Sequence, residues 1–307
     1  MLLKDIIYKG IETVSELYPE GEAKEMVFAY IEDVFGLKRH THIIEPEYSL
    51  SDKDSDRAVM DFGRMAAGEP LQYITGKAYF YGREFKVGPD VLIPRGETEV
   101  LIQETVDLAG TFGKDRGLHI LDMCTGSGCI AWSLALELPY ANVKAVDISD
   151  GALAIASSQD FHEELSHSGA SSPEFIKADV LEYPADSGYD FLRDGKFDII
   201  VSNPPYVMDS EKALMRTNVL DHEPHLALFV PDDDALKFYV AVADWAGKLL
   251  SDRGVGVVEI NEALGAETKQ VFLDRGFVYA DVVKDLHGKD RFVRFSRVPL
   301  LEKKRFF

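Results

Sequence analysis

His119-Ile120-Leu121-Asp122-Met123-Cys124-Thr125-Gly126-Ser127-Gly128, followed at once by a helix-forming run from Cys129 to Leu138, is the stretch on which the fold turns. A short apolar strand signal breaks into a glycine turn, and a helix begins directly after it. Glycines in such a turn let a ligand approach the backbone closely, and the first helical turn offers N–H groups with no partner inside the helix. One strand further on, Val143-Lys144-Ala145-Val146-Asp147 ends in an acid 19 residues after Gly128. A carboxylate at that point can accept both hydroxyl hydrogens of a ribose. Gly126-x-Gly128-x-x-Ala131 also satisfies a dinucleotide-binding pattern, so spacing alone keeps a nicotinamide enzyme in contention. Asp122 separates the two ligands. An acid before the turn repels a pyrophosphate, whereas S-adenosylmethionine brings an ammonium and a sulfonium. The expected ligand is the methyl donor.

Downstream of this turn, strand and helix signals alternate. Candidate strands are Leu118–Met123, Asn142–Asp147, Glu174–Lys177, Phe197–Val201, Gly254–Ile260, Phe277–Val283 and Phe292–Arg297. Helical stretches separate the early ones, which predicts a mostly parallel sheet covered on both faces. The last two are joined only by Lys284 to Arg291, a connection that suits an antiparallel hairpin better than a crossover. Asp179 closes the third strand signal, where it can accept from an adenine amino group or cap a helix. Upstream, residues 1 to about 75 read as helical. Leu3, Ile7, Ile11 and Val14 form one apolar stripe, and Met26, Val27, Tyr30, Ile31, Val34 and Phe35 form another. A third helix is expected from about Ser51 to Ala67, stopped by Gly68 and Pro70. Ala78-Tyr79-Phe80-Tyr81, Gly82 and Glu84-Phe85-Lys86-Val87 read as a hairpin linking the bundle to the larger part.

The fourth strand signal delivers Ser202-Asn203-Pro204-Pro205-Tyr206 at its carboxyl end, where open parallel sheets bind ligands. Asn203 carries a side-chain carbonyl, and Pro204 and Pro205 stiffen the backbone so that a main-chain carbonyl keeps a fixed aim. Two such acceptors can hold both hydrogens of an NH2 group, with Tyr206 supplying a face for a planar group. An amide nitrogen is a poor nucleophile, and holding both N–H bonds can aim it at a sulfonium methyl.

The formal net charge is −20, with 53 acidic against 33 basic residues. That balance disfavours a phosphate backbone as substrate and favours a protein partner. Two cysteines, Cys124 and Cys129, make no disulfide framework. Met1 to Asp5 lacks a signal-peptide core, and no apolar run approaches the ~20 residues of a membrane span. A cytoplasmic protein without a membrane partner is expected. His222-Glu223-Pro224-His225 lacks the spacing of a zinc helix and contains a proline that would break one, so no metal is expected. Asp232-Asp233-Asp234 reads as a solvated turn, and the basic Lys303-Lys304-Arg305 is too short to argue for nucleic acid.

The chain also resembles a known family. The Asn203-Pro204-Pro205-Tyr206 corner after an Asp122-x-x-x-Gly126-x-Gly128 turn is shared by amino-group methyltransferases, DNA adenine enzymes among them. Gly68-Glu69-Pro70-Leu71-Gln72-Tyr73-Ile74-Thr75-Gly76, Phe80-Tyr81-Gly82, Val91-Leu92-Ile93-Pro94-Arg95 and Glu97-Thr98-Glu99 resemble the peptide chain release factor glutamine methyltransferases (PrmC/HemK). So do Glu223-Pro224-His225-Leu226-Ala227-Leu228 and Asp285-Leu286-x-Gly288-x-Asp290-Arg291. The match spans nearly the whole chain and is weakest over the first 50 residues. It implies an α/β fold: a helical substrate-docking domain over residues 1–75, a β-hairpin linker over 76–96, and a class I, Rossmann-like methyltransferase domain over 97–307 with a mostly parallel seven-stranded sheet. The implied reaction moves a methyl group from S-adenosyl-L-methionine to N5 of the Gly-Gly-Gln glutamine in class 1 release factors, leaving S-adenosyl-L-homocysteine. By position, Cys124, Thr125, Gly126, Ser127, Gly128, Asp147, Val180 and Asn203 correspond to the family's donor-binding residues, and Asn203 to Tyr206 to its glutamine-binding motif. Asn203, Pro204 and Tyr206 are the expected catalytic residues, and Asp122 and Asp179 join the donor set from the reading above. A ribosomal-protein glutamine methyltransferase shares this chemistry, and a DNA adenine N6-methyltransferase is a more distant alternative. Three positions depart from the family pattern: Cys124 stands at a usual glycine, Gly96 at a usual proline and His222 at a common tyrosine.

Overall fold

The computed structural model describes residues 1–113, 117–182, 196–285 and 287–300. Leu286 of the Asp285–Arg291 motif and the basic Lys303–Arg305 tail lie outside the described residues. The chain forms two compact units.

The first unit gathers Met1–Ala78, Val87–Pro89 and Leu214–Glu223. Its helices are α1 (Leu3–Val14), α2 (Glu20–Phe35), α3 (Thr41–Ile44), α4 (Asp52–Ala66) and α5 (Leu71–Thr75). The apolar stripes read from the sequence meet in one core of Ile6, Ile7, Val14, Val27, Tyr30, Ile31, Phe62 and Met65. Ser51 starts α4 because its Oγ accepts the Asp54 N–H at 3.1 Å, satisfying one of the orphan donors of the first turn. A buried acid, Asp61, sits among these helices. Asp61 accepts the Tyr30 hydroxyl at 2.8 Å and an Arg64 N–H at 3.0 Å, so its carboxylate is paired and hydrogen-bonded as burial demands.

The second unit gathers Tyr79–Lys86, Asp90–Ala213 and Pro224–Phe307. The chain enters it through the hairpin of β1 (Lys77–Phe80) and β2 (Arg83–Lys86). There follow α6 (Glu99–Ala109), β3 (Leu118–Met123), α7 (Cys129–Glu137), β4 (Ala141–Asp147), α8 (Asp150–Ser157), α9 (His162–Ser168), β5 (Glu174–Lys177) and β6 (Phe197–Ser202). After β7 (Val207–Met208) the chain passes through α10 (Thr217–His222), which belongs to the first unit, and returns at β8 (Phe229–Val230). The unit ends with α11 (Lys237–Leu249), β9 (Leu250–Glu259), α12 (Gly265–Asp274), β10 (Tyr279–Lys284) and β11 (Asp290–Ser296).

Seven strands form the main sheet in the order β10-β11-β9-β6-β3-β4-β5. Strands β9, β6, β3, β4 and β5 pair in parallel, and β11 pairs antiparallel with both β9 and β10. The mostly parallel sheet and the closing hairpin both match the sequence reading. Side chains alternate between two cores, as the pleat requires. Ile120, Ile199, Val201 and Val257 face one core with α6 and α7. Leu121, Met123, Ile200 and Val258 face the other with α11 and α12. Helix α7 is buried all round, including Ile130, Trp132, Leu134 and Leu136, which explains its lack of a polar face. Strand β9 begins at Leu250 rather than at the expected Gly254, because Leu250 pairs with Phe197 across a register shift that leaves no period in the sequence. The two-residue strands β7 and β8 are likewise too short to carry one.

Candidate active site

Sheet order reverses at β3. From it the chain winds outward through β4 and β5, then returns to β6 on the other side. The crevice at the carboxyl ends of the strands flanking such a switch point is where open α/β sheets bind ligands. Met123 of β3 lies opposite Ser202 of β6, and the Ser202 hydroxyl donates to the Met123 carbonyl at 2.7 Å. Adjacent strands are about 4.8 Å apart. The glycine turn and the Asn203 corner therefore leave the sheet side by side.

The turn after β3 is tied down by carboxylates. Asp122 is fully buried and lies beneath the turn rather than on its rim. Its Oδ2 accepts the Thr125 hydroxyl at 2.6 Å. Its Oδ1 has no hydrogen-bond partner among the described residues, and the Ala131 N–H in the first turn of α7 favours the charge. Burial pushes this carboxyl up to about 7, against the pull of Thr125 and with a smaller push from Asp147. Asp147, at the end of β4, accepts the Gly126 N–H on Oδ2 and the Ser149 N–H on Oδ1, both at 2.9 Å. Burial raises its carboxyl too. Ser127 is buried, and its carbonyl accepts from Gln159 Nε2 at 3.1 Å. Cys124 holds a left-handed φ of 61°, a conformation that glycine adopts without strain and other residues rarely visit. Both Cys124 and Cys129 are free thiols. At the end of β5, Val180 is buried, and Asp179 accepts the Leu181 N–H at 2.9 Å, so it does hold a turn.

On the other side of the crevice, Asn203 is half-buried while Pro204 and Pro205 are buried. Asn203 Nδ2 donates to Thr98 Oγ1 at 3.2 Å, and Thr98 in turn donates to Glu259 Oε2 at 2.7 Å. The Tyr206 hydroxyl donates to the other oxygen of Glu259 at 3.0 Å. The Tyr206 carbonyl accepts from Asn261 Nδ2 at 3.2 Å, and that same nitrogen reaches Glu211 at 2.7 Å. Among the described residues nothing donates to Asn203 Oδ1 or to the Pro204 carbonyl. Burial raises the Glu259 carboxyl, against its hydrogen bonds from Thr98 and Tyr206. The Tyr206 phenol is pushed well above its ordinary value by burial and by the charge of Glu259.

The structure thus brings Asp122, Cys124 to Gly128, Asp147 and Asn203 to Tyr206 to the carboxyl ends of β3, β4 and β6. Asp179 and Val180 stand at the end of β5, on the outer side. Glu259 was missed by the sequence reading, and Thr98 entered it only through a family motif. One signal pointed to Glu259: a carboxylate between Val258 and Ile260, at the end of an apolar run in a buried parallel strand. Among the described residues no group of three or more His, Cys, Asp or Glu could hold a metal ion. No helix among them is long and apolar enough to cross a membrane.

A mostly parallel seven-stranded sheet with one antiparallel strand, and a glycine turn at its switch point, define the class I methyltransferase fold. The methyltransferase small domain family matches residues 99–226, and the PrmC N-terminal domain family matches residues 12–76. The catalytic domain of hMettl16, solved with a MAT2A 3'UTR hairpin, superposes with a TM-score of 0.51 at 14% identity over 80% of this chain and 83% of that one. At that identity it speaks for the fold alone. The release factor glutamine methyltransferase of Flavobacterium psychrophilum is 35% identical over 96% of this chain and 99% of its own length. That of Bacteroides thetaiotaomicron is 40% identical over 93% and 97%. The chain belongs to the release factor glutamine methyltransferase family.

Proposed function

We propose that this enzyme transfers a methyl group from S-adenosyl-L-methionine to the side-chain amide nitrogen N5 of the Gly-Gly-Gln glutamine in class 1 peptide chain release factors, in the cytoplasm. The observation that carries the reading is the Asn203 corner, set in register beside the glycine turn with its side-chain NH2 tied back to Thr98. An amide whose NH2 is already spoken for offers a carbonyl to whatever enters.

The turn suits the methyl donor. Asp122 is a buried carboxylate with one poorly satisfied oxygen beneath the turn, which a nearby cation would stabilise and a pyrophosphate would not. Cys124, Gly126 and Gly128 all hold left-handed backbone, and the two glycines, having no side chain, let a ligand come close to the loop. Asp147 retains lone pairs beyond those used by Gly126 and Ser149, enough for ribose hydroxyls. In this reading Asp122, Cys124 to Gly128, Asp147, Asp179, Val180 and Asn203 hold the donor. When bound, S-adenosylmethionine supplies a sulfonium methyl group.

The chain's own residues then act on the glutamine. Asn203 Oδ1 and the Pro204 carbonyl each accept one amide N–H, which fixes the plane of the carboxamide. Tyr206, held upright through its hydroxyl, offers its ring to that plane. As the nitrogen takes the methyl group it becomes positive, and both acceptors bind it more strongly than before. No base is needed ahead of transfer, since the product nitrogen loses its proton afterwards to water.

The test uses labelled S-adenosylmethionine with a release factor, with a release factor whose Gly-Gly-Gln glutamine is alanine, with ribosomal protein and with DNA. Label on the intact release factor alone is expected. Label on ribosomal protein or DNA instead, or on none, overturns the assignment. Asn203→Ala is expected to abolish transfer while weakening donor binding by no more than about tenfold, since Asn203 is one of several donor contacts, measured by calorimetry with S-adenosylhomocysteine. Wild-type turnover by this variant would remove Asn203 from the mechanism.

A further inference from the structure

Asn203 can present either end of its amide to a substrate, and the two ends have opposite chemistry. With Oδ1 outward it accepts an N–H; with Nδ2 outward it sets a donor against the substrate's own NH2. Nothing in Asn203 itself chooses between them. The choice is made two residues away, by a chain of hydrogen bonds with a fixed count of protons.

Glu259 is 1% exposed, and its two oxygens meet two hydroxyls, Thr98 at 2.7 Å and Tyr206 at 3.0 Å. Both hydroxyls donate to it, one to each carboxyl oxygen. Thr98 has a single hydroxyl proton, and that proton is committed to Glu259. Its oxygen can then only accept from Asn203, at 3.2 Å, which turns Nδ2 inward and Oδ1 outward. Thr98 is buried at 2% exposure, so water does not offer its oxygen a competing partner. Thr98 stands just before α6, Asn203 just after β6 and Glu259 at the end of β9, and sheet register holds β6 to β9 with Ser202 opposite Val258.

We infer that Thr98 and Glu259 are positioning residues that polarise Asn203, so that the site presents a hydrogen-bond acceptor to the glutamine amide. This rests on the reading of Asn203 as an amide acceptor and extends it to the groups that make it one. The Tyr206 hydroxyl shares the same carboxyl group, so one buried acidic side chain sets both the aim of Asn203 and the stance of the Tyr206 ring. Arg291 of β11, Glu97 beside Thr98 and Tyr239 of α11 contribute the remaining polar field around Thr98, Glu259 and Tyr206.

Thr98→Val keeps the shape of the side chain and removes the hydroxyl, whereas Thr98→Ser keeps the hydroxyl. With release factor as substrate, Thr98→Val is expected to lower kcat about tenfold to a hundredfold, the scale of one misdirected hydrogen bond. Its affinity for S-adenosylhomocysteine stays unchanged, and Thr98→Ser recovers most of the rate. A second readout needs no substrate. The Asn203 side-chain NH2 resonances in 15N-labelled protein are expected as a single set in wild type and Thr98→Ser, and as a split or broadened set in Thr98→Val. Wild-type kcat in Thr98→Val overturns the inference, as does an equal loss in Val and Ser. Should wild-type enzyme label no release factor, the function proposed above fails by itself. The resonances then decide the inference: dependence on the Thr98 hydroxyl upholds it, and independence overturns it.

Discussion

Gly128→Ala tests the turn on which the site is built. Gly128 sits at φ 79° and ψ 7°, immediately before the first residue of α7. A left-handed conformation costs an L-residue about 1–2 kcal/mol. A Cβ built there would also lie 3.0 Å from the Ala156 Cβ and 3.2 Å from two ring atoms of Phe175. Neither neighbour yields easily. Ala156 is fully buried in α8, and Phe175 stands on β5 with its ring 6.2 Å from that of Trp132. Overpacking of this kind costs about 1–3 kcal/mol, while alanine's stiffer unfolded chain returns about 0.4–1 kcal/mol. The net loss is about 1–4.5 kcal/mol with its centre near 3 kcal/mol, which is about 6–12 °C in Tm at that centre for a unit of this size. The chain has two tryptophans, Trp132 and Trp245, both in the second unit, so tryptophan fluorescence, excited selectively over tyrosine, reports that unit. Gly247→Ala is the control. It lies within α11 with open space where its Cβ would go, and it should gain up to about 1 kcal/mol. Donor affinity should fall in Gly128→Ala and hold in Gly247→Ala. A Gly128→Ala Tm within about 2 °C of wild type would refute the reasoning, because strain and crowding act in the same direction there.

Two further changes probe the sheet and the buried acid. At Gly256 a Cβ would lie 2.0 Å from the Phe295 ring, which is itself stacked on Phe272 at 4.0 Å between centroids. Gly256→Ala should therefore cost about 3 kcal/mol, and Phe295→Ala in the same chain should lessen the damage that Gly256→Ala does on its own. Equal stability of Gly256→Ala and wild type by chemical denaturation would contradict this. Asp122 has a folded-state carboxyl raised from 3.8 to about 7 by burial. Between those values the folded protein holds a proton that the unfolded chain has released, so raising the pH through this window favours unfolding. Asp122→Asn removes that slope. Without donor it should be more stable than wild type at pH 8, with the advantage shrinking toward pH 5, as thermal melts at the two values would show. An advantage that grows toward acid would mean that the carboxyl is not raised.

What could be read from the sequence divides along a physical line. The turn after β3 and the corner after β6 were legible because each is a local event, a strand signal broken by residues with restricted or unusual backbone freedom. The parallel sheet followed from the alternation of those signals, and the closing hairpin from a connection too short to cross over. Cys124 reads as a departure from a family glycine, and the structure gives that departure its cost in a φ of 61°. The joining of Leu214–Glu223 to the first unit left no mark, because its six-residue helix has no buried residue and hence no stripe to detect. The orientation of Asn203 was beyond reach for a different reason. It depends on contacts across 105 and 161 positions of chain, and on a proton count that closes only when three residues meet. Sequence can name a group that accepts or donates by turns. Which it does here is decided by a carboxyl group two hydrogen bonds away that accepts the Thr98 hydroxyl, so the site's acceptor is a property of β6, β9 and the turn before α6 together rather than of the Asn203-Pro204-Pro205-Tyr206 motif. The same motif on a sheet lacking that carboxylate would keep its shape and lose its polarity.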